Sequence, residues 1–147
     1  MAVNLRVPAA ESLYAVSGIE LGIAMAGVRK ANRKDLLVMR LAPGATVAGV
    51  FTRNRFCAAP VVLAKKHLRQ PVRALVVNTG NANAGTGADG LKRALDVCGA
   101  VARELGCTAG QVLPFSTGVI MEPLPVERIA QGLPIAVRDL REHNWLS

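Results

Sequence analysis

The sequence is short of aromatic residues, acids and cysteine, and each shortage excludes something. Phe, Trp and Tyr together make up 3% of 147 residues. Only Phe51 and Phe56 fall among the basic residues of the first half, both in a stretch that reads as core. Single-strand nucleic-acid binders interleave stacking rings with their charges, so no nucleic-acid partner is expected. The three cysteines, Cys57, Cys98 and Cys107, are an odd number without pairing or metal-ligand spacing. They fit a reduced, cytoplasmic thiol population and give no support for a metal. No apolar run approaches the roughly 18 residues of a membrane-spanning helix. The opening MAVNLRVPAAESLY has no apolar core behind Arg6, so neither a membrane segment nor a secretory signal is expected. Repeats, low-complexity segments and linkers are also missing.

What is present reads as folded. Hydrophobic residues reach 51% and charged residues 19%, which excludes intrinsic disorder. The length suits a single domain over residues 1–147, or one lobe of a larger protein, burying roughly 68–70% of its unfolded surface. The net charge of +8 comes from 18 Lys and Arg against 10 Asp and Glu. Between Arg29 and Arg73 stand eleven basic residues and one acid, Asp35. That run is a solvated surface, a field that steers anionic substrate, or, least expected given the few aromatics, a nucleic-acid surface.

Hydrophobic patterning predicts an α+β class, a mainly β first half followed by helices. Leu36–Leu41 and Val47–Thr52 read as strands around the Pro43-Gly44 turn, and Val61–Ala64 and Ala74–Val77 as two more. Tyr14–Met25, interrupted by Gly18 and Gly22, reads as a bent or bulged pair. The period then changes. Leu91, Leu95, Cys98, Ala102 and Leu105 form one helical stripe, with Thr86 and Asp89 at capping-box spacing and Gly106 as terminator. A strand at Val112–Phe115 leads into a polar turn, Ser116-Thr117-Gly118. Pro125 opens a helix through Val126, Ile129, Ala130 and Leu133; Pro134 breaks or kinks it, and a second helical piece extends to His143.

Two polar constellations carry potential chemistry. The loop Asn78–Gly90 lies between a strand and a helix, where backbone amides can cradle an anion, and its end matches G-x-G-x-x-G. The match lacks both a first glycine close to the strand and an acidic partner, and no lysine follows Gly85 or Gly87 as a Walker loop requires. Glycines and asparagines that serve positive φ and local side-chain bonding explain the loop as well. No bound cofactor is expected. In Ser116-Thr117-Gly118 a nucleophilic hydroxyl would need a base, and neither His67 nor His143 has a context that marks it as one. Donors from Thr117 and the Gly118 amide fit stabilisation of an oxyanion. The alternative is a simple strand-ending turn.

The same segments carry a family resemblance. VVNTGNANAGTG (Val76–Gly87) and LPFSTGVIMEPLP (Leu113–Pro125) resemble the ornithine acetyltransferase family, the bifunctional glutamate N-acetyltransferases of arginine biosynthesis. RKDLLVMRLAPGATVAGVFTRNRFCAAPV (Arg33–Val61) and SGIELGIAMAGVRK (Ser17–Lys30) agree, so the likeness spans nearly the whole chain. It implies the DmpA/ArgJ-like fold and acetyl transfer from N-acetylornithine to glutamate, with acetyl-CoA a co-substrate of some members. It further implies a precursor that cleaves itself into α and β chains, assembled as an α2β2 heterotetramer, with a threonine at the start of the β chain as nucleophile. The family's oxyanion pair falls on Thr117 and Gly118. Met121 stands where the family usually has glycine. On this resemblance the chain is an incomplete, N-terminal part of the α chain, without the nucleophile and inactive alone. The competing expectations are a basic binding module for nucleic acid or an acidic partner, a nucleotide-binding α/β domain and a catalytically silent truncated product.

Overall fold

In the computed structural model, which describes residues 7–146, one four-stranded sheet has helices on both faces. Strands β1 (Ile19–Ala24), β2 (Leu36–Leu41), β3 (Ala74–Asn81) and β4 (Val112–Val119) lie side by side in chain order. β1–β2 and β2–β3 pair antiparallel, and β3–β4 pair parallel. A parallel pair needs a long crossover. Helix α2 (Gly87–Leu105) supplies it, and α1 (Ala59–His67) and α3 (Val126–Arg138) complete the expected α+β class.

Strand alternation divides the core. Leu36, Val38, Ala74, Val76 and Val112 point toward α2 and α3, where they bury with Val97, Cys98, Val101, Ile129 and Leu133. Side chains of this kind contribute about 1.5–3 kcal/mol each relative to exposure. Leu41, Leu75 and Leu113 point the other way, onto Ala64 of α1 and onto Val47 and Phe51 of the irregular segment before it.

The α2 prediction holds in extent, and Gly106 ends the helix at φ +65°. Its details differ. Ala94, Val97, Cys98 and Val101 face the sheet, leaving Leu95 45% exposed, so the buried stripe is rotated from the predicted one. Thr86 does sit at the N-cap, but its hydroxyl donates to Asn83 Oδ1 at 2.9 Å rather than capping a helix amide. Asp89 pairs with Arg93 at 2.6 Å.

Other expectations are overturned. Val61–Ala64 lies in α1, not a strand: Ala59, Pro60, Leu63, Ala64 and His67 bury at helical spacing, and Pro60 sits in the first turn, where its missing N–H has no intrahelical partner to lose. Val47–Thr52 forms no strand, because β1 and β3 already occupy both edges of β2; the segment covers a sheet face instead. Of Tyr14–Met25 only β1 is a strand. Gly22 marks close approach rather than a bulge, since a Cβ there would lie 1.9 Å from the Ala136 carbonyl oxygen of α3. Phe56, read as core, is 64% exposed. α3 runs on through Pro134 to Arg138, and no helix reaches His143. Arg141 instead bridges Leu21 antiparallel, and the buried Asn144 amide donates to the Leu21 carbonyl at 2.9 Å.

Candidate active site

Ser116-Thr117-Gly118 is not a turn. It is the last part of β4, in register with Asn78-Thr79-Gly80 of β3. Residues of a parallel strand send their N–H and C=O groups alternately to one side and the other. The carbonyl of Gln111 accepts from Arg73 N and that of Val119 from Ala82 N, so odd-numbered residues from 111 to 119 face β3. The even-numbered ones, Gly118 among them, therefore turn their backbone groups to the open edge of the sheet. Pro114 belongs to this even set, and its missing N–H costs no ladder bond.

The Thr117 side chain stands on the α1 face. There it lines a cavity of about 510 Å³ with Val50, Phe51, Pro60, Val61 and Phe115. Thr117 and Gly118 are both exposed. A hydroxyl rising from the face and an amide leaving the edge thus meet at one corner. Two fixed donors of this kind can hold an oxygen that becomes negative during acyl transfer, without any tuned pKa.

Glycine is required at 118. Its φ is +134°, and an added Cβ would stand 2.4 Å from Gly80 C and 2.6 Å from Asn81 N. Beyond β4 the chain turns back at Met121, whose φ of +64° lies in the left-handed region that favours glycine. The residue type that the family resemblance leads one to expect there is thus the type the backbone suits.

Three buried asparagines stabilise this strand end. Asn78 Nδ2 donates to the Asn81 carbonyl at 2.8 Å, and Asn78 Oδ1 accepts from Ser116 Oγ at 2.6 Å. Asn81 Nδ2 donates to the carbonyls of Glu122 and Pro123, both at 3.1 Å, while its Oδ1 accepts from Asn83 N at 2.7 Å. Asn83 Nδ2 donates to the Gly90 carbonyl at 2.9 Å. Sequence reading assigned these residues to turn formation. Asn83, at φ +47°, fits that assignment, but Asn78 and Asn81 reach across to β4 and its following turn. The only signal was the repetition of Asn at 78, 81 and 83.

The remaining candidates fall away from the corner. Gly90, last of the G-x-G-x-x-G match, makes room for internal packing: a Cβ there would lie 2.0 Å from Thr86 Oγ1 and 2.7 Å from Asn83 Oδ1. His67 is buried, with Nδ1 2.8 Å from the Val112 carbonyl oxygen, and His143 is exposed. Burial pushes the Cys98 thiol up to about 12, as suits a packed, inert group. Among the described residues no group of three His, Cys, Asp or Glu could hold a metal ion, and no helix is long and apolar enough to cross a membrane. The basic run is partly engaged: Arg29 pairs with Glu122 at 2.6 Å, Arg40 pairs with Glu20, and Lys65 lies over the Phe51 ring.

Comparison with known proteins decides the family. The ArgJ family model matches residues 20–145. The chain belongs to the ArgJ family. Among solved structures it resembles the ornithine acetyltransferase of Mycobacterium tuberculosis in complex with ornithine, with a TM-score of 0.82 and 31% identity. That match covers 86% of this chain and 69% of the other. It also resembles the arginine biosynthesis bifunctional protein argJ of Bacillus halodurans, with a TM-score of 0.75 and 33% identity, over 80% of this chain and 62% of that one. The ArgJ fold accounts for the arrangement of sheet and helices, and the strand end that carries Thr117 and Gly118 lies within the matched residues.

Proposed function

We propose that this chain is the oxyanion-bearing part of a glutamate N-acetyltransferase of arginine biosynthesis, acting in the cytoplasm. One observation carries the reading: the exposed Thr117 hydroxyl and the edge-directed Gly118 amide share a corner beside a cavity, in an ArgJ-family fold. In this reading a threonine nucleophile comes from outside these residues, at the start of a β chain cut from the same precursor, and the assembly is α2β2. Its hydroxyl attacks the acetyl carbonyl of N-acetylornithine while its own α-amine takes the proton. The carbonyl oxygen becomes negative and is held by Thr117 and Gly118. Collapse of the tetrahedral intermediate expels ornithine, which leaves with the proton, and an acetyl-threonine ester remains. The neutral amine of glutamate then attacks that ester through the same oxyanion geometry; the C–O bond to threonine breaks, the threonine oxygen takes back a proton from the attacking nitrogen by way of the α-amine, and N-acetylglutamate leaves. Acetyl-CoA enters as an alternative donor at the first step.

The test is Thr117→Ala in the complete, self-cleaved enzyme. Loss of one such donor lowers kcat by about 10²–10³ with little change in KM. Undiminished turnover removes Thr117 from the chemistry.

A further inference from the structure

Resting on that reading, we infer that Asn78 and Asn81 are positioning residues that bracket Thr117–Gly118 and fix the direction of its two donors. The bracket has two arms. On the near side, Asn78 Oδ1 accepts from the hydroxyl of Ser116, the residue directly before Thr117, at 2.6 Å. On the far side, Asn81 Nδ2 binds the carbonyls of Glu122 and Pro123, which close the turn after β4. The arms are joined, because Asn78 Nδ2 donates to the Asn81 carbonyl at 2.8 Å. Both asparagines are 3% exposed; the Asn78–Asn81 hydrogen bond is buried and the other three are partly so, and loss of any of them leaves a poorly hydrated polar atom unpaired.

The bracket answers a local weakness. Among the described residues β4 is an edge strand with a neighbour on one side only, and its pairing with β3 becomes irregular at Gly80–Asn81. Two glycines face each other there, and neither has a side chain to pack against the other strand. Without a further constraint the peptide planes of residues 117 and 118 could rotate. The Asn78–Ser116 contact lies on the α2 face of the sheet, opposite the Thr117 side chain, so Asn78 acts on the site through β4 rather than from the cavity that Thr117 lines. Catalysis of this kind depends on donors already aimed at the developing charge, and misplacement by 1 Å can cost about 10²-fold.

The experiment uses the complete, self-cleaved enzyme and four variants: Thr117→Ala, Ser116→Ala, Ser116→Thr and Asn78→Asp. Ser116 is half-buried, so both of its variants are compatible with folding. Ser116→Ala is expected to lower kcat about 10-fold or more at nearly unchanged KM, and Ser116→Thr, which restores the hydroxyl, to recover most of the loss. Asn78→Asp keeps an acceptor for Ser116 but sets an oxygen against the Asn81 carbonyl, so it breaks the link between the arms by repulsion as well as by loss of the donor; in protein that unfolds at the parent midpoint a fall in kcat at constant KM is expected. In the Thr117→Ala background Ser116→Ala should cost much less than it does alone, because both act on one oxyanion site. If Thr117→Ala is crippled while Ser116→Ala turns over at the parent rate, or if their losses simply multiply, the bracket is overturned and the oxyanion reading stands. If Thr117→Ala itself retains full kcat, the oxyanion reading fails, and the positioning role fails with it.

Discussion

Gly80 and Gly118 face each other across the parallel pairing of β3 and β4, with φ at +99° and +134°. Neither has room for a Cβ: at Gly118 it would stand 2.4 Å from Gly80 C of the facing strand, and at Gly80 it would stand 2.9 Å from Arg29 Cβ. Gly118→Ala therefore combines an unfavourable backbone region with a clash against main chain that cannot rotate away. A loss of about 3 kcal/mol is expected, from strain and overpacking together. Urea unfolding checks it: an unshifted midpoint would mean that β4 does not approach β3 as described.

Met121 gives a prediction of opposite sign. Holding a non-glycine residue in the left-handed region costs roughly 1–2 kcal/mol, against about 0.5–1 kcal/mol for the extra freedom of an unfolded glycine. The side chain is 67% exposed, so little packing is lost. Met121→Gly should raise stability by about 0.5–1 kcal/mol, seen as a Tm a few degrees higher. The Met121 sulfur does fill the space where a Cβ on Gly85 would stand, and a lower Tm would show that this packing outweighs the strain.

Asp139 should make stability depend on acid. Burial alone would raise its pKa, but the Ile23 amide at 3.1 Å, the Asn144 amide at 2.7 Å and the adjacent Arg141 hold it below the usual carboxylate value of 3.8. A carboxyl whose folded pKa is depressed binds fewer protons folded than unfolded. Its contribution is full above about pH 4 and disappears as pH falls through the folded value. Asp139→Asn should lower stability at pH 7, and the difference from the parent should shrink below pH 4. An equal difference at pH 7 and pH 3 would contradict this.

Cys98 should be chemically silent. It is fully buried and its thiol is pushed up to about 12, so almost no thiolate exists at pH 8. Native protein treated with a thiol reagent should leave Cys98 unmodified until denaturant is added, as peptide mapping would show. Labelling of Cys98 under native conditions would mean that α2 opens readily from the sheet.

Legibility in the sequence followed the length and sidedness of each element. α2 was legible because it runs for 19 residues with one apolar side and a terminal glycine. β2 was legible because it is a short apolar run between turn signals, and its predicted bounds match. α1 was not. Its first turns, Ala59–Ala64, are apolar throughout: Ala59, Pro60, Leu63 and Ala64 are buried, but Val62 is apolar and exposed, so the run has no visible period. The Ser-Thr-Gly segment read as a turn because glycine usually interrupts a strand; here a second glycine across the ladder lets the strand continue. Of the candidate site, Thr117 and Gly118 were legible through the family resemblance. The roles of Asn78 and Asn81 were not, because side-chain reach across strands leaves no spacing rule in one sequence.

Pro114 has a consequence beyond its harmless place in the ladder. A bare sheet edge invites other chains to stack on it and seeds aggregates. By placing a residue with no N–H midway along the outer side of β4, the fold interrupts that row of donors and separates Val112 from the terminal portion, Ser116 and Gly118, where an incoming group can be engaged. The border of the sheet is thus made unattractive to indiscriminate self-assembly along most of its length, and open at the end where a small anionic oxygen would be received.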